Sequence, residues 1–93
     1  MTGRTHLLIY GDVIGVGFRA WIRGQSQDLQ LTGWVRNTED KRVEIVAEGE
    51  EEKLKELIKK CHQGPEVAWV ERVEEEWVEA SGEFAGFEIL LPP

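Results

Sequence analysis

The residues best suited to chemistry form a glycine-rich segment, Gly-Asp-Val-Ile-Gly-Val-Gly-Phe-Arg, at positions 11–19. An apolar run precedes the segment, and a helix is predicted to begin at its end. Glycine lets backbone N–H groups approach a ligand closely, and a helix N-terminus carries a partial positive charge. Arg19 adds a fixed fork of donors that suits the oxygens of a phosphate. The segment is therefore typical of a cradle for a small oxyanion.

A second candidate side chain is Asn37, which ends an apolar run at the point where a turn is expected. The common interpretation of an asparagine at a strand end is a turn-forming residue. If the first and second strands flank the intervening third strand, however, the end of the second strand can face the first loop, and the amide of Asn37 would lie near Arg19. A neutral amide both donates and accepts hydrogen bonds and is suited to holding a water molecule.

Length and composition limit the classes of protein. Ninety-three residues with 41% hydrophobic content predict one globular domain spanning residues 1–93. No stretch reaches the roughly 20 apolar residues that span a bilayer, and no apolar signal core follows Met1. Cys61 is the only cysteine and cannot form an internal disulfide. We therefore expect a soluble cytoplasmic protein that does not associate with membranes.

The two halves of the chain differ in their balance of basic and acidic residues. The net charge of −7 argues against a nucleic-acid partner, because affinity for the phosphate backbone comes from clustered Lys and Arg. Residues 1–42 hold six basic and four acidic side chains, whereas residues 43–93 hold five basic and fourteen acidic ones. The acidic half is interpreted as a solvated surface. The glycine-rich segment thus lies in the half that favours an anion.

The hydrophobic pattern predicts seven elements. Strands are expected over 5–11, 31–37, 43–47 and 67–78, with a last strand in which Phe87, Ile89 and Leu91 alternate. Helices are expected over 19–30 and from the glutamates at 50–52 to Gly64-Pro65. Right-handed crossovers then place both helices on one face of a sheet. The predicted fold is an α+β, ferredoxin-like βαββαβ sandwich with a mostly antiparallel sheet of four or five strands.

Several separated motifs together closely resemble the acylphosphatase family. The resemblance covers nearly the whole chain, in order and in spacing. It rests on residues 11–19, Gly33-Trp34-Val35-Arg36-Asn37-Thr38, Val43-Glu44, Glu48-Gly49, Gln63-Gly64-Pro65 with Ala68 and Val70, and Gly86-Phe87-Glu88-Ile89.

This resemblance implies hydrolysis of an acyl phosphate to a carboxylate and inorganic phosphate, without a metal, a cofactor or a covalent intermediate. By position, Arg19 would hold the phosphate and Asn37 would orient the attacking water. The backbone N–H groups that assist Arg19 would be those of Ile14, Gly15, Val16, Gly17 and Phe18. Phosphoryl transfer depends mainly on positioning and on stabilising charge, which agrees with these roles. Because neither motif offers an obvious base, a phosphate oxygen of the substrate is expected to accept the water's proton.

The chain departs from the family pattern at three places. Asp12 stands where the family usually has a basic residue, and Ile14 stands where it usually has Gln. In the hairpin, Lys41-Arg42 replaces a glycine-containing turn. Backbone donors do not depend on side-chain identity, so we expect activity to be retained with weaker substrate binding.

Other kinds of site are less well supported. Gly15-Val-Gly17-Phe-Arg-Ala20 matches a dinucleotide fingerprint, but 93 residues leave no room for a doubly wound sheet. His6 and His62 are too far apart in sequence to suggest a zinc site. The glutamates of the fourth strand are interpreted as a solvated sheet edge rather than as acid/base groups. Cys61 is read as a small hydrophobe, and the four tryptophans are expected to be buried or half-buried: Trp21, Trp34, Trp69 and Trp77.

The main alternative function is a non-catalytic ferredoxin-like module that binds an anion or a protein. A related option is a domain normally attached to a larger hydrogenase-maturation protein. Because the chain ends at Pro93, we expect a freestanding protein, and its small size favours a monomer.

Overall fold

The structure, a computed structural model, describes all of residues 1–93 and contains one five-stranded sheet and two α-helices. The sheet order is β4-β1-β3-β2-β5, and every neighbouring pair is antiparallel except β2 and β5. The predicted ferredoxin-like α+β sandwich is confirmed. The elements are β1 (Thr2–Asp12), α1 (Phe18–Asp28), β2 (Thr32–Asn37), β3 (Val43–Glu50), α2 (Glu51–Gln63), β4 (Trp69–Val78) and β5 (Phe87–Ile89).

Some element ends in the first half differ from the predicted ones. β1 begins at Thr2 rather than at residue 5, because Thr2 pairs with Glu50 at the end of β3. For the same reason β3 continues past residue 47. The first helix ends at Asp28 rather than at residue 30, since Gln30 adopts a positive φ of 59° that a helix does not allow.

The second half differs from prediction at its strands. β4 begins at Trp69 rather than at residue 67. The last strand stops at Ile89, so Leu91 lies outside it and is 86% exposed. Trp69 is 64% exposed and Trp77 is 38% exposed, which makes the expectation of a buried or half-buried tryptophan wrong at both positions. The reason is topological, because β4 is an outer strand of the sheet and its start has no neighbour on one side.

Both helices bury the apolar faces that their spacing predicts, against one face of the sheet. α1 packs on β2, β3 and β5, and α2 packs on β1, β3 and β4. Gly64 ends α2 with a positive φ of 68°, in agreement with the predicted Gly-Pro stop. The buried helix residues are Phe18, Ile22 and Ser26 in α1, and Leu54, Leu57, Ile58 and Cys61 in α2.

The strand order brings the two candidate regions to the same end of the sheet. β1 and β2 both pair antiparallel with β3, so they run in the same direction and finish at the same end of the sheet. Asn37 pairs with Val43, and Val43 pairs with Ile9 on its other side. Two strand spacings, about 10 Å, therefore separate Asn37 from Ile9, shortly before the loop that follows β1.

Candidate active site

The loop between β1 and α1 changes direction at two glycines. Gly15 and Gly17 have φ values of 75° and 76°, in the left-handed region that favours glycine. Gly17 is also the N-cap of α1, and the N–H of Trp21 donates to its carbonyl at 3.0 Å, which begins the helical ladder. A Cβ added at either glycine would meet no atom within 4 Å. The glycines are therefore required by backbone conformation and not by crowding.

A run of unpaired backbone donors follows from this conformation. No N–H group from residue 14 to residue 20 donates to an acceptor in the protein. The first N–H groups of any helix lack an intrahelical partner, and here they continue into the N–H groups of the loop. The run includes every backbone donor that the sequence predicts for the site, from Ile14 to Phe18. Such a group of donors at a helix N-terminus favours binding of an anion.

Arg19 lies in the first turn of α1 and is half-buried. It is the only one of the six arginines whose side chain makes neither a hydrogen bond nor an ion pair. Arg23 donates to the carbonyl of Phe87, and the other four pair with carboxylates: Arg4, Arg36, Arg42 and Arg72. The guanidinium of Arg19 thus remains free to bind an external anion.

A cavity of about 210 Å³ opens beside these donors. Arg19 is its only charged lining residue, and no carboxylate contributes to its wall. The other lining residues are glycine or apolar: Val13, Gly15, Gly17, Phe18, Ala20 and Ile89. Ile89 comes from β5, far from the loop in sequence, and was not among the predicted site residues. The alternating pattern of the last strand was the only signal for it, and that pattern does not indicate which residue reaches the loop.

The apolar side chains of the loop anchor it to the core. Ile14 and Val16 are partly buried against the core, and Phe18 is buried edge-to-face against Trp21 with ring centroids 5.6 Å apart. These residues therefore offer their backbone N–H groups to the cavity while their side chains hold the loop in place. Ile14, noted above as a departure from the family pattern, thus contributes packing against the core.

Asn37 lies at the end of β2, on the helix-covered face that Val35 shares. Its Oδ1 atom is buried and accepts no hydrogen bond from the protein. Buried polar atoms without a partner are rare, which marks this amide as a group with an unmet acceptor. The structure does not place Asn37 in the wall of the 210 Å³ cavity. It places Asn37 at the same end of the sheet as the loop after β1, in the strand that neighbours β5.

The hairpin after Asn37 is held by Thr38, which the sequence did not single out. The hydroxyl of Thr38 donates to Asp40 Oδ1 at 2.6 Å and accepts from the N–H of Arg42 at 3.0 Å. The hydrogen bond from Thr38 holds the pKa of Asp40 below its usual range. Lys41 adopts a positive φ of 64°, the conformation that a turn glycine would take at no cost.

Asp12 lies outside the cavity that holds Arg19. It lines a separate depression of about 430 Å³ between the hairpin and the start of β4. That depression has mixed charge, and its other lining residues are Tyr10, Gly11, Asp40, Lys41, Arg42, Trp69 and Glu71. Asp12, a departure from the family pattern, therefore adds no negative charge to the wall of the cavity that holds Arg19.

Two other kinds of centre, a metal site and a reactive cysteine, are not found among the side chains. No three His, Cys, Asp or Glu residues are grouped so that they could hold a metal ion. Cys61 is buried as a free thiol, and burial raises its pKa to about 12, which makes it a poor nucleophile. Neither helix has the length and apolar character needed to cross a membrane.

Comparison with known proteins gives a consistent result. The family model described as acylphosphatase matches residues 5–89. An acylphosphatase from Marinobacter nauticus is 51% identical over 84 residues, which cover 90% of this chain and 91% of the relative. One from Pelotomaculum thermopropionicum is 45% identical over 88 residues, covering 95% and 96%. The crystal structure of an acylphosphatase from Bacillus subtilis superposes with a TM-score of 0.91 at 30% identity, covering 97% of this chain and 99% of that one.

Proposed function

Because the chain belongs to the acylphosphatase family and is an acylphosphatase, we propose that Arg19 and the adjacent loop bind the phosphoryl group of the substrate. The backbone donors are the N–H groups of Ile14, Gly15, Val16, Gly17 and Phe18. Asn37 orients the attacking water. The substrate is a small acyl phosphate, and the products are a carboxylate and inorganic phosphate.

The observation that carries this proposal is the set of free donors around the start of α1. The N–H groups of residues 14–20 and the guanidinium of Arg19 have no partner in the protein. Unpaired donors at a half-buried site are costly unless water or a ligand satisfies them. A phosphoryl group matches them because its charge is spread over three equatorial oxygens, which accept from several directions.

The reaction then needs little beyond positioning. The oxygen of a water molecule attacks phosphorus in line with the bond to the acyl oxygen. That bond breaks, its electron pair leaves on the carboxylate, and the water's proton passes to a phosphate oxygen. The buried Oδ1 of Asn37 accepts a hydrogen bond from the water and fixes its direction of approach. Arg19 and the loop stabilise the charge of the transferring group.

We also propose that residues 1–93 act as one domain, as a monomer in the cytoplasm and without a metal. The free, buried thiol of Cys61 is compatible with a reducing compartment. Size-exclusion chromatography with light scattering would test the oligomeric state. Assay in EDTA would test the requirement for a metal.

The deciding experiment is hydrolysis of benzoyl phosphate in EDTA by the parent protein and by Arg19→Ala and Asn37→Ala. We expect the parent to turn over and each substitution to lower kcat/KM by at least about 100-fold. Arg19→Ala should also raise the inhibition constant for inorganic phosphate, whereas Asn37→Ala should leave that constant nearly unchanged.

A matched control is Arg72→Ala, which removes an arginine that pairs with Glu74 on the outer strand β4. It should leave kcat/KM within about twofold of the parent. Undiminished hydrolysis by both site variants would overturn the residue roles. Absence of turnover by the parent would instead favour a non-catalytic, anion-binding module.

A further inference from the structure

The cavity beside Arg19 has two chemically different parts. One part consists of Arg19 and the backbone of the glycine loop, which suit an anion. The other part is apolar and contains no ionisable side chain: Val13, Phe18, Ala20 and Ile89. At about 210 Å³, the cavity is smaller than the roughly 300–1,000 Å³ typical of pockets for drug-sized ligands. It is therefore suited to a compact ligand with one anionic end and one apolar end.

Ile89 is the one lining residue that lies outside the segment from Val13 to Ala20. It pairs in parallel with Val35 of β2, and the N–H of Leu90 donates to the Val35 carbonyl at 2.9 Å, which fixes this end of β5. Strand alternation places Ile89 on the same face as buried Phe87. Its side chain nevertheless remains 39% exposed. An aliphatic side chain is thus held at the wall of the cavity with more than a third of its surface left uncovered by protein atoms.

We propose that Ile89 is a specificity-determining residue that contacts the acyl group of the substrate and favours compact, uncharged, apolar acyl groups. This inference rests on the proposed function, because it assigns the anionic part of the cavity to the phosphoryl group. The acyl group then occupies the apolar part.

The physical basis is a difference in solvation between acyl groups. Binding of an aromatic or aliphatic acyl group is favoured because the acyl group and Ile89 are both removed from water. An acyl group with a second carboxylate would lose hydration and find no cation, because the phosphoryl group already occupies Arg19. The cavity should therefore discriminate first by charge and then by apolar area.

The test compares three substrates: benzoyl phosphate, acetyl phosphate and succinyl phosphate, whose acyl group ends in a carboxylate. We expect the parent to prefer benzoyl over acetyl phosphate and to use succinyl phosphate least efficiently. Ile89→Ala should lower kcat/KM for benzoyl phosphate roughly three- to tenfold and change that for acetyl phosphate less than about twofold. Ile89→Lys should raise kcat/KM for succinyl phosphate relative to benzoyl phosphate by at least about tenfold.

The matched control is Glu88→Ala. Glu88 neighbours Ile89 in β5 but lines a different depression, beside Trp34 and Phe84. It should leave the ratios among the three substrates unchanged. The inhibition constant for inorganic phosphate should be the same in the parent, in Ile89→Ala and in Glu88→Ala, which would verify that the phosphate site is intact.

Equal losses on benzoyl and acetyl phosphate in Ile89→Ala would overturn the inference, as would unchanged substrate ratios in both Ile89 variants. A changed inhibition constant for phosphate in Ile89→Ala would also overturn it, because Ile89 would then act on the phosphate site and not on the acyl group. The proposed function fails separately, if the parent hydrolyses none of the three substrates.

Discussion

The buried carboxylate of Glu48 holds Ser81 by two hydrogen bonds, from the backbone N–H at 2.7 Å and from the hydroxyl at 3.0 Å. It also accepts the N–H of Gly82 at 3.0 Å and pairs with Arg4 at 3.3 Å. Glu48 lies in β3 and is only 4% exposed. It thereby fastens the connection between β4 and β5 to the sheet, and that connection leads to the strand that carries Ile89.

Glu48→Gln should destabilise the fold. An amide keeps one acceptor but brings an NH₂ group towards backbone donors and loses the charge that strengthens these hydrogen bonds. We expect the free energy of unfolding to fall by about 1–3 kcal/mol, as measured by urea denaturation. Glu52→Gln, which removes an exposed helix carboxylate 3.5 Å from Lys55, should change it by less than about 0.5 kcal/mol. Equal effects of the two substitutions would contradict the role of Glu48.

Stability should decline in acid in part because of two carboxyl groups of β3, those of Glu44 and Glu48. Burial opposes ionisation of Glu44 and Glu48, but hydrogen bonds to each outweigh it and hold the pKa of both below the ordinary value of 4.5. For Glu44 the donors are His6 and Arg36, each at 2.7 Å. A carboxyl with a lowered folded-state pKa contributes stability above its unfolded-state pKa and loses it as the pH falls through the folded-state pKa.

The free energy of unfolding should therefore be nearly constant from pH 7 to about pH 5 and fall below pH 4.5. Urea denaturation at a series of pH values measures this directly. In Glu48→Gln the decline should be shallower, and the difference from the parent should shrink as the pH falls. A constant difference between the two proteins down to pH 3 would show that the charge of Glu48 is not what stabilises the connection.

Alanine substitutions at three glycines should distinguish the effect of loop backbone conformation on activity from the effect of helix propensity on stability. Gly17→Ala places a Cβ at a φ of 76°, where L-residues are strained by about 1–2 kcal/mol. The loop would relax by rotating its N–H groups, so kcat/KM for benzoyl phosphate should fall, and Gly15→Ala should behave alike. Gly24→Ala lies inside α1 with open space around it, and should raise the free energy of unfolding by about 0.5–1 kcal/mol without affecting kcat/KM. Unimpaired activity in both loop variants would contradict the role of the backbone donors.

The sequence predicted the parts of the site that depend on local chemistry. The glycine loop and Arg19 were selected as candidates because their residue types and spacing are typical of an oxyanion site. The nearness of Asn37 to the loop could be inferred once the strand order was assumed, since that order aligns the ends of β1 and β2. Residues that act across long sequence separations were not found. Glu48 reaches Ser81 across 33 positions, and no local pattern indicates such a contact.

The exposure of side chains in and next to the outer strands of the sheet also could not be predicted from the local sequence pattern. The alternation of apolar and polar residues in a strand is the same whether the strand lies at the centre of a sheet or at its edge. Trp69 was therefore expected to be buried or half-buried, and Leu91 was placed in a strand that ends two residues earlier. The exposure of Trp69 and Leu91 depends on which strands neighbour β4 and β5, and this is a property of the whole topology.

Two buried acceptors have no hydrogen-bond partner in the protein, Asn37 Oδ1 and Ser26 Oγ, and they should respond differently to removal. An unsatisfied buried polar atom costs on the order of 1 kcal/mol or more, so Asn37→Ala and Ser26→Ala should each leave the free energy of unfolding unchanged or raise it. Ser26 lies on the buried face of α1, outside the cavity wall, and its removal should leave kcat/KM for benzoyl phosphate unchanged. Asn37→Ala should nearly abolish turnover, because we propose that the Oδ1 atom, which has no partner in the folded chain, holds the water during the reaction. A marked loss of stability in Asn37→Ala would indicate that this amide is retained for folding, and would remove the main physical argument for its role in catalysis.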